Sequence, residues 1–429
     1  FMNIFMKLNS LLGRIYSFLI FSMTMNAQPK GYLYDESQVI PYELPDPLVC
    51  QDGTKVETAQ TWIEKRRSEI LKLFKEEVYG ESPENRIPMR IEIVEEGQDA
   101  LGGKAIRKQV AIVLGGEHRT LSLNLLLYLP KTSNQSIPCF LTINFQGNHT
   151  VHSDPAILLP NTWVRNRNGI KDNCAREIDR GLAASRWAIS DMINRGYAFA
   201  TVYYGDIDPD FDDGFQNGAH ALFSQSDSEI RKPSDWGSIA GWAWGLSRCM
   251  DYLVKDPLID SNRIAVMGHS RLGKTSLWAA ATDERFAMVI SNNSGCGGAA
   301  LSRRRFGETV KRINISFPHW FCENYKNYND KEEDCPVDQH MLIALAAPRP
   351  VYIASAEQDL WADPKGEFLS ALHAEPVYQL FGKSFGARKQ PMLNHPVHGQ
   401  IGYHVRNGKH DVTAYDWNQY LNFADQHLK

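Results

Sequence analysis

The sequence has little cysteine: seven residues in 429, at positions 50, 139, 174, 249, 296, 322 and 335. They are too few and too scattered for a disulfide scaffold. No C-x-x-C pair occurs, which argues against a structural zinc. An oxidising compartment permits a bridge, but the odd count leaves at least one thiol over and the spacing selects no pair. Charge of one sign is also lacking. Forty-six Lys and Arg stand against 50 Asp and Glu, a net charge of −4, and a nucleic-acid binder is expected to show a basic excess or stripe. After the first thirty residues no apolar run approaches the roughly 18 residues of a membrane span. Internal repeats and low-complexity linkers are absent.

What is present suits a large core: 43% hydrophobic residues, 11% aromatic, 22% charged. Ten Trp and 17 Tyr are many; core packing accounts for most, and sugar clefts also use such flat amphipathic rings. At the N-terminus Lys7 and Arg14 precede and border the apolar run Ile15 to Met23, and Met25-Asn26-Ala27 follows. This reads as a secretory signal over 1–27, so the protein is expected to be secreted or periplasmic. With no cysteine after the run, a lipid anchor is disfavoured. Residues 28–429 then form one catalytic domain, expected to act as a monomer.

Residues 32–47 read as a surface-wrapping segment and Thr61 to Tyr79 as a helix, with Trp62, Ile63, Ile70, Leu71, Phe74 and Val78 near helical spacing. Strands are expected at Met89 to Val94, Arg107 to Leu114 and Leu121 to Leu129. From Pro138 the order becomes strand–helix alternation. Strands fall at Pro138 to Phe145, Tyr197 to Tyr204, Arg263 to Gly268, Phe286 to Ser291, Pro350 to Ala356 and Ile401 to Val405; helices fall at Ser238 to Leu253, Leu272 to Ala281 and Tyr415 to Leu428. Gly205 to Pro233 reads as a long polar loop. Such alternation gives a mostly parallel sheet covered on both faces, an α/β three-layer sandwich of the α/β-hydrolase kind.

The segment that carries chemistry is Gly268-His-Ser270-Arg-Leu-Gly273-Lys274, between an apolar strand and a helix. A nucleophile elbow, Gly-x-Ser-x-Gly, puts its serine on a strained turn between small neighbours; here the second glycine comes one residue late. The run from Asp260 through Ser270-Arg-Leu-Gly-Lys274 to Ala280 resembles carbohydrate esterase family 15, the glucuronoyl esterases. So do Ser294-Gly-Cys-Gly-Gly298 through Arg304, Phe306-Gly-Glu308-Thr, Pro318-His-Trp320-Phe and Ala356-Glu-Gln-Asp359-Leu-Trp361. The resemblance covers roughly residues 30–429. It implies an α/β-hydrolase fold needing no metal or cofactor, and substrates that are esters of (4-O-methyl-)glucuronic acid, as between glucuronoxylan and lignin alcohols.

A serine hydroxyl needs a base to become a nucleophile, and the tetrahedral intermediate needs fixed donors at its oxyanion. Ser270 is the expected nucleophile. Arg271 offers a backbone N–H and a cationic side chain, with further donors expected around Gln146-Gly147-Asn148. Among His395, His398, His404 and His410, the one between the last strand and the final helix, His410, is the expected base; His404 falls inside the strand. For the acid, fungal family members carry a glutamate where this chain has Asn293, and an amide cannot stabilise an imidazolium by charge. Asp359, after the strand ending at Ala356, is the expected acid, with Glu357 as alternative. Lys274, four residues after Ser270, is expected to reach a substrate hydroxyl, and Glu308 and Trp361 match family positions of the uronate site. Arg303-Arg304-Arg305 reads as a solvated or internally paired run. An acetyl or feruloyl esterase is the neighbouring alternative; a carbohydrate-binding protein that has lost catalysis is the alternative from another class.

Overall fold

Ten strands form one sheet in the order β1-β2-β3-β5-β4-β6-β7-β8-β10-β9. The computed structural model describes residues 28–83, 87–115, 119–131, 136–166, 172–224 and 230–429; the expected signal over 1–27 lies outside them. The first three strands, β1 (Met89–Ala100), β2 (Ala105–Gly115) and β3 (Thr120–Pro130), are an antiparallel meander joined antiparallel to β5 (Ala198–Tyr203). From β5 the neighbours run parallel through β4 (Ile137–Asn144), β6 (Ile259–His269), β7 (Met288–Asn292), β8 (Val351–Ala356) and β10 (Ile401–Arg406). The two-residue β9 (Val397–His398) closes the far edge.

Every residue of β4, β5, β7, β8 and β10 is buried, which is why these strands read as unbroken apolar runs. Alternate side chains feed two cores. Leu141, Val266 and Ile353 enter one together with α1 (Arg67–Glu77), α2 (Ser238–Leu253), α3 (Arg271–Thr282) and α4 (Pro364–Gln379); Phe140, Met267 and Tyr352 enter the other together with α5 (Ala414–His427). Each fully buried Leu, Ile or Phe contributes about 1.5–3 kcal/mol, so the sheet and its helices hold the loops at the strand ends on a rigid base.

Two expectations need correction. The strand expected over 89–94 extends to Ala100, with register shifts around Glu95; it is the sheet edge, where one open face hides the apolar alternation. The region 205–233 is no plain polar loop: it holds the short helices Tyr204–Ile207 and Gly218–Phe223, and Asp206, Asp208 and Asp210 are buried. Helix α4 carries Pro376 inside it, a residue that normally signals a break. All seven cysteines are free thiols, six of them buried. Among the described residues no helix is long and apolar enough to cross a membrane.

Candidate active site

The turn between β6 and α3 is a sharp elbow, and the glycines explain its spacing. Ser270 has φ 58° and ψ −129°, a conformation L-residues rarely adopt, and its N–H bonds Asn292 O at 2.8 Å. A Cβ on Gly268 would lie 1.8 Å from the Leu272 carbonyl oxygen, so only glycine lets the helix double back over the strand. At Gly273 a Cβ would meet Ser294 Cβ at 3.0 Å and Ser291 Oγ at 3.1 Å. The late second glycine is thus where α3 passes closest to the end of β7, while Leu272 is buried in the core.

The expected base and acid meet. His410 Nδ1 lies 2.6 Å from Asp359 Oδ2, with the imidazole 43% exposed and the carboxylate 5%. Asn293 Nδ2 donates to the same oxygen at 2.8 Å, so positions 293 and 359 converge on one place. Glu357 is exposed and lines a separate apolar cleft with Tyr34, Phe306 and Met392; it is not the partner of His410. The His410 ring packs 4.5 Å from the ring of His269, the residue before Ser270. Among the described residues no hydrogen bond closes Ser270 Oγ to His410; the ring reaches the elbow through His269.

The His410 loop is held from below. Arg406 donates to Lys409 O (3.0 Å) and Asp411 O (2.6 Å), and to both oxygens of Asp416 (3.0 and 2.8 Å). Asp416 also takes His404 Nε2 at 2.9 Å and shares the capping box of α5 with Thr413. His404 is therefore a core histidine, and His395 is exposed and bonded to Leu393 O.

On the other flank the Arg271 guanidinium pairs with Asp210 and lies 4.6 Å from the Trp320 ring centre; its Nε is buried without a partner. The expected loop donors are largely committed elsewhere. Gln146 N–H (3.3 Å) and Gly147 N–H (2.9 Å) both donate to Asn144 Oδ1, and Asn148 Nδ2 donates to Asn124 O at 2.7 Å. Side chains of Gln146 and Arg271 instead share a cleft of about 250 Å³.

Lys274, Glu308 and Trp361 gather beside the elbow. The Glu308 N–H bonds Trp361 O at 3.0 Å, a closeness allowed by Gly307 (φ 63°), whose Cβ would strike Leu360 O and Trp361 O at 2.5 Å. Burial raises the Glu308 pKa, opposed by the Lys274 charge and the Trp361 hydrogen bond. Lys274 lies deeper than its helical position suggests: it is buried, and its Nζ donates to Ser294 O. Burial lowers its pKa while Glu308 works the other way. The segment following residue 27 backs this group: Tyr32 packs edge-on to Trp361 at 4.9 Å, and Gly307 N–H bonds Leu33 O. Beneath lies Glu367, accepting Ser294 N–H (2.8 Å), Gly295 N–H (3.0 Å) and Ser355 Oγ (2.5 Å). The Arg303–Arg304–Arg305 run is paired internally, for example Arg304 with Asp363 and Arg305 with Glu332. Among the described residues no three His, Cys, Asp or Glu side chains group as metal ligands.

A strained serine at a strand–helix elbow, a carboxylate–imidazole pair and an arginine anchored on a buried carboxylate, all at one sheet edge, make this an α/β-hydrolase, and its class is the carboxylic ester hydrolases. A family model described as glucuronyl esterase, fungi, matches residues 228–382. Carbohydrate esterase MZ0003, from an unknown prokaryotic organism, is 55% identical over 405 residues, 94% of this chain and 93% of that protein. The solved structure of a promiscuous CE15 esterase from a marine bacterial metagenome superposes with TM-score 0.87 at 54% identity, and a glucuronoyl esterase from Solibacter usitatus with 0.87 at 47%; each match covers 92% of this chain and 100% of the other. The chain belongs to carbohydrate esterase family 15.

Proposed function

We propose that this protein hydrolyses esters of (4-O-methyl-)glucuronic acid, such as those between glucuronoxylan side chains and lignin alcohols, through an acyl-enzyme on Ser270. The observation that carries the reading is the 2.6 Å His410–Asp359 contact beside the elbow, together with the part-buried Glu308 and Trp361 and the buried Lys274 next to it. Asp359 accepts a hydrogen bond from His410 Nδ1–H, which leaves Nε2 as the basic nitrogen. As Ser270 Oγ bonds to the ester carbon, its proton passes to Nε2 and the carbonyl oxygen becomes an oxyanion beside Arg271. The ester C–O bond then breaks and the alcohol leaves with the proton from His410. Water, deprotonated by His410, attacks the acyl-enzyme; glucuronate departs and Ser270 Oγ regains a proton.

Lys274, Glu308 and Trp361 supply two charged hydrogen-bonding groups and an indole, a set suited to sugar hydroxyls and a ring face. The glucuronoyl esterases among the relatives support that substrate class. The protein works after export, with residues 1–27 as the removed signal; N-terminal sequencing of the released protein should begin at or near Gln28. Activity is tested by comparing benzyl glucuronate, acetylated xylan and methyl ferulate. The highest kcat/KM is expected on benzyl glucuronate. Preference for either other ester moves the protein to the acetyl or feruloyl esterases, and inactivity on all three contradicts the esterase reading.

A further inference from the structure

Asp210 occupies the centre of a buried polar cluster, and its side chain has no exposed surface. Its Oδ1 accepts His319 Nε2 at 3.0 Å and Trp320 Nε1 at 2.8 Å. Its Oδ2 accepts Arg165 Nη2 at 2.7 Å, Tyr204 OH at 3.2 Å and Arg271 Nη1. Five side chains from four stretches of chain thus converge on one carboxylate. Burial alone would raise its pKa; the His319 hydrogen bond, the Arg271 charge, Trp320 and Arg165 outweigh burial and hold it below the usual carboxylate range. Asp210 is therefore a fixed anion.

Arg271 is the member of this cluster that adjoins Ser270. Besides its bond to Asp210, its guanidinium lies 4.6 Å from the Trp320 ring centre and 5.4 Å from that of Phe317, and those two rings stack on each other at 3.7 Å. An arginine left free has many rotamers, and a donor that must reorganise during reaction stabilises an oxyanion poorly. With Nη1 committed to Asp210 and the plane packed on Trp320, the guanidinium is held in one orientation beside Ser270.

We propose that Asp210 is the positioning residue of the oxyanion arginine: it fixes the Arg271 guanidinium before substrate binds. This rests on the reading of Arg271 under the proposed function. Asp210 touches no substrate, so removing its charge should act only through Arg271.

The test is a double-mutant cycle on benzyl glucuronate with Asp210→Asn, Arg271→Ala and both together. Arg271→Ala should lower kcat by about 10²–10³-fold, the range for one oxyanion donor. Asp210→Asn should lower kcat by about 10–100-fold with KM changed less than about twofold, and by less than about threefold when Arg271 is already alanine. If Arg271→Ala leaves kcat intact, the oxyanion reading itself fails. If Arg271→Ala is damaging but Asp210→Asn lowers kcat by the same factor in both backgrounds, Asp210 is merely structural and this inference is overturned. Should Asp210→Asn not fold, His319→Phe removes one donor from Asp210 and enters the same cycle. A smaller loss that disappears in the Arg271→Ala background supports the inference, and an equal loss in both overturns it.

Discussion

The two flanks of Ser270 are built on opposite plans. On one side stands a half-exposed imidazole with a single carboxylate partner, resting on a loop that Arg406 ties down from beneath. On the other, a guanidinium is sunk into aromatic rings and bound to a carboxylate that has five donors and no exposed surface. The physical demands differ. A proton carrier must exchange its proton with a nucleophile, a leaving group and a water, so its free edge stays accessible. A group that stabilises developing charge gains by being fixed and dry beforehand.

The largest effect expected on the proton-transfer flank is that of Ser270→Ala: turnover should fall by roughly 10⁶, the scale found when a nucleophile or its base is removed. His410→Ala and the double mutant should fall no further than either single mutant. Measured rates that multiply instead would break the unit.

Next comes Asp359→Asn, expected to cut turnover by about 10⁴ through loss of the imidazolium's counter-charge. Because Asn293 Nδ2 already touches Asp359 Oδ2, adding Asn293→Glu to that variant should restore at least tenfold of the loss. Glu357→Gln should leave turnover within about twofold. No recovery with Asn293→Glu would mean that the two positions share a place but not a role.

A smaller and selective effect is expected in the sugar group. Lys274→Ala and Glu308→Gln should each lower kcat/KM on benzyl glucuronate by about 10–150-fold, the equivalent of one hydrogen bond to a charged group at 1.5–3 kcal/mol. On a small acetate ester the loss should be under about threefold. Equal losses on both esters would turn these residues into supports of the elbow, a role to which the bond from Lys274 to Ser294 O already inclines.

The smallest effect concerns stability against pH. Burial pushes the Glu367 pKa up to about 8, with the Ser355 hydrogen bond opposing. An acid whose folded pKa is raised keeps a proton that the unfolded chain has released. Between the ordinary value near 4.5 and about 8 the folded protein binds the extra proton, so this group's contribution falls as pH rises, by at most about 1.4 kcal/mol per unit. Glu367→Gln, which mimics the protonated form, should flatten that slope in urea melts from pH 5 to 9. An unchanged slope would show Glu367 ionised throughout.

How much of this was legible in sequence follows the same division. The meeting of His410 with Asp359 was readable because a parallel sheet places successive loops at one edge, whereas the elbow, one residue off the usual spacing, was read through the family resemblance. The departure from Gly-x-Ser-x-Gly became intelligible only with the backbone distances at Gly268 and Gly273. Asp210 was invisible: it sits in a run of aspartates and glycines that composition assigns to solvent, and nothing local says that four other segments supply its donors. The burial of Lys274 was hidden similarly, since a lysine one turn into a helix is ordinarily solvated. Donors around Gln146 and Gly147 were expected for the oxyanion, but the side chain of Asn144 takes both N–H groups, the local competition of an Asx turn.

The central claim, that Asp359 activates Ser270 through His410, is tested most directly by the rate of Ser270 phosphonylation with a small fluorophosphonate, followed by peptide mass mapping. That rate reports nucleophile activation with no sugar present. The account predicts a single label on Ser270 in the wild type, formation slowed by at least about 10³-fold in Asp359→Asn, and a rate within about twofold of wild type in Glu357→Gln. Labelling at the wild-type rate in Asp359→Asn, or on a residue other than Ser270, would contradict it.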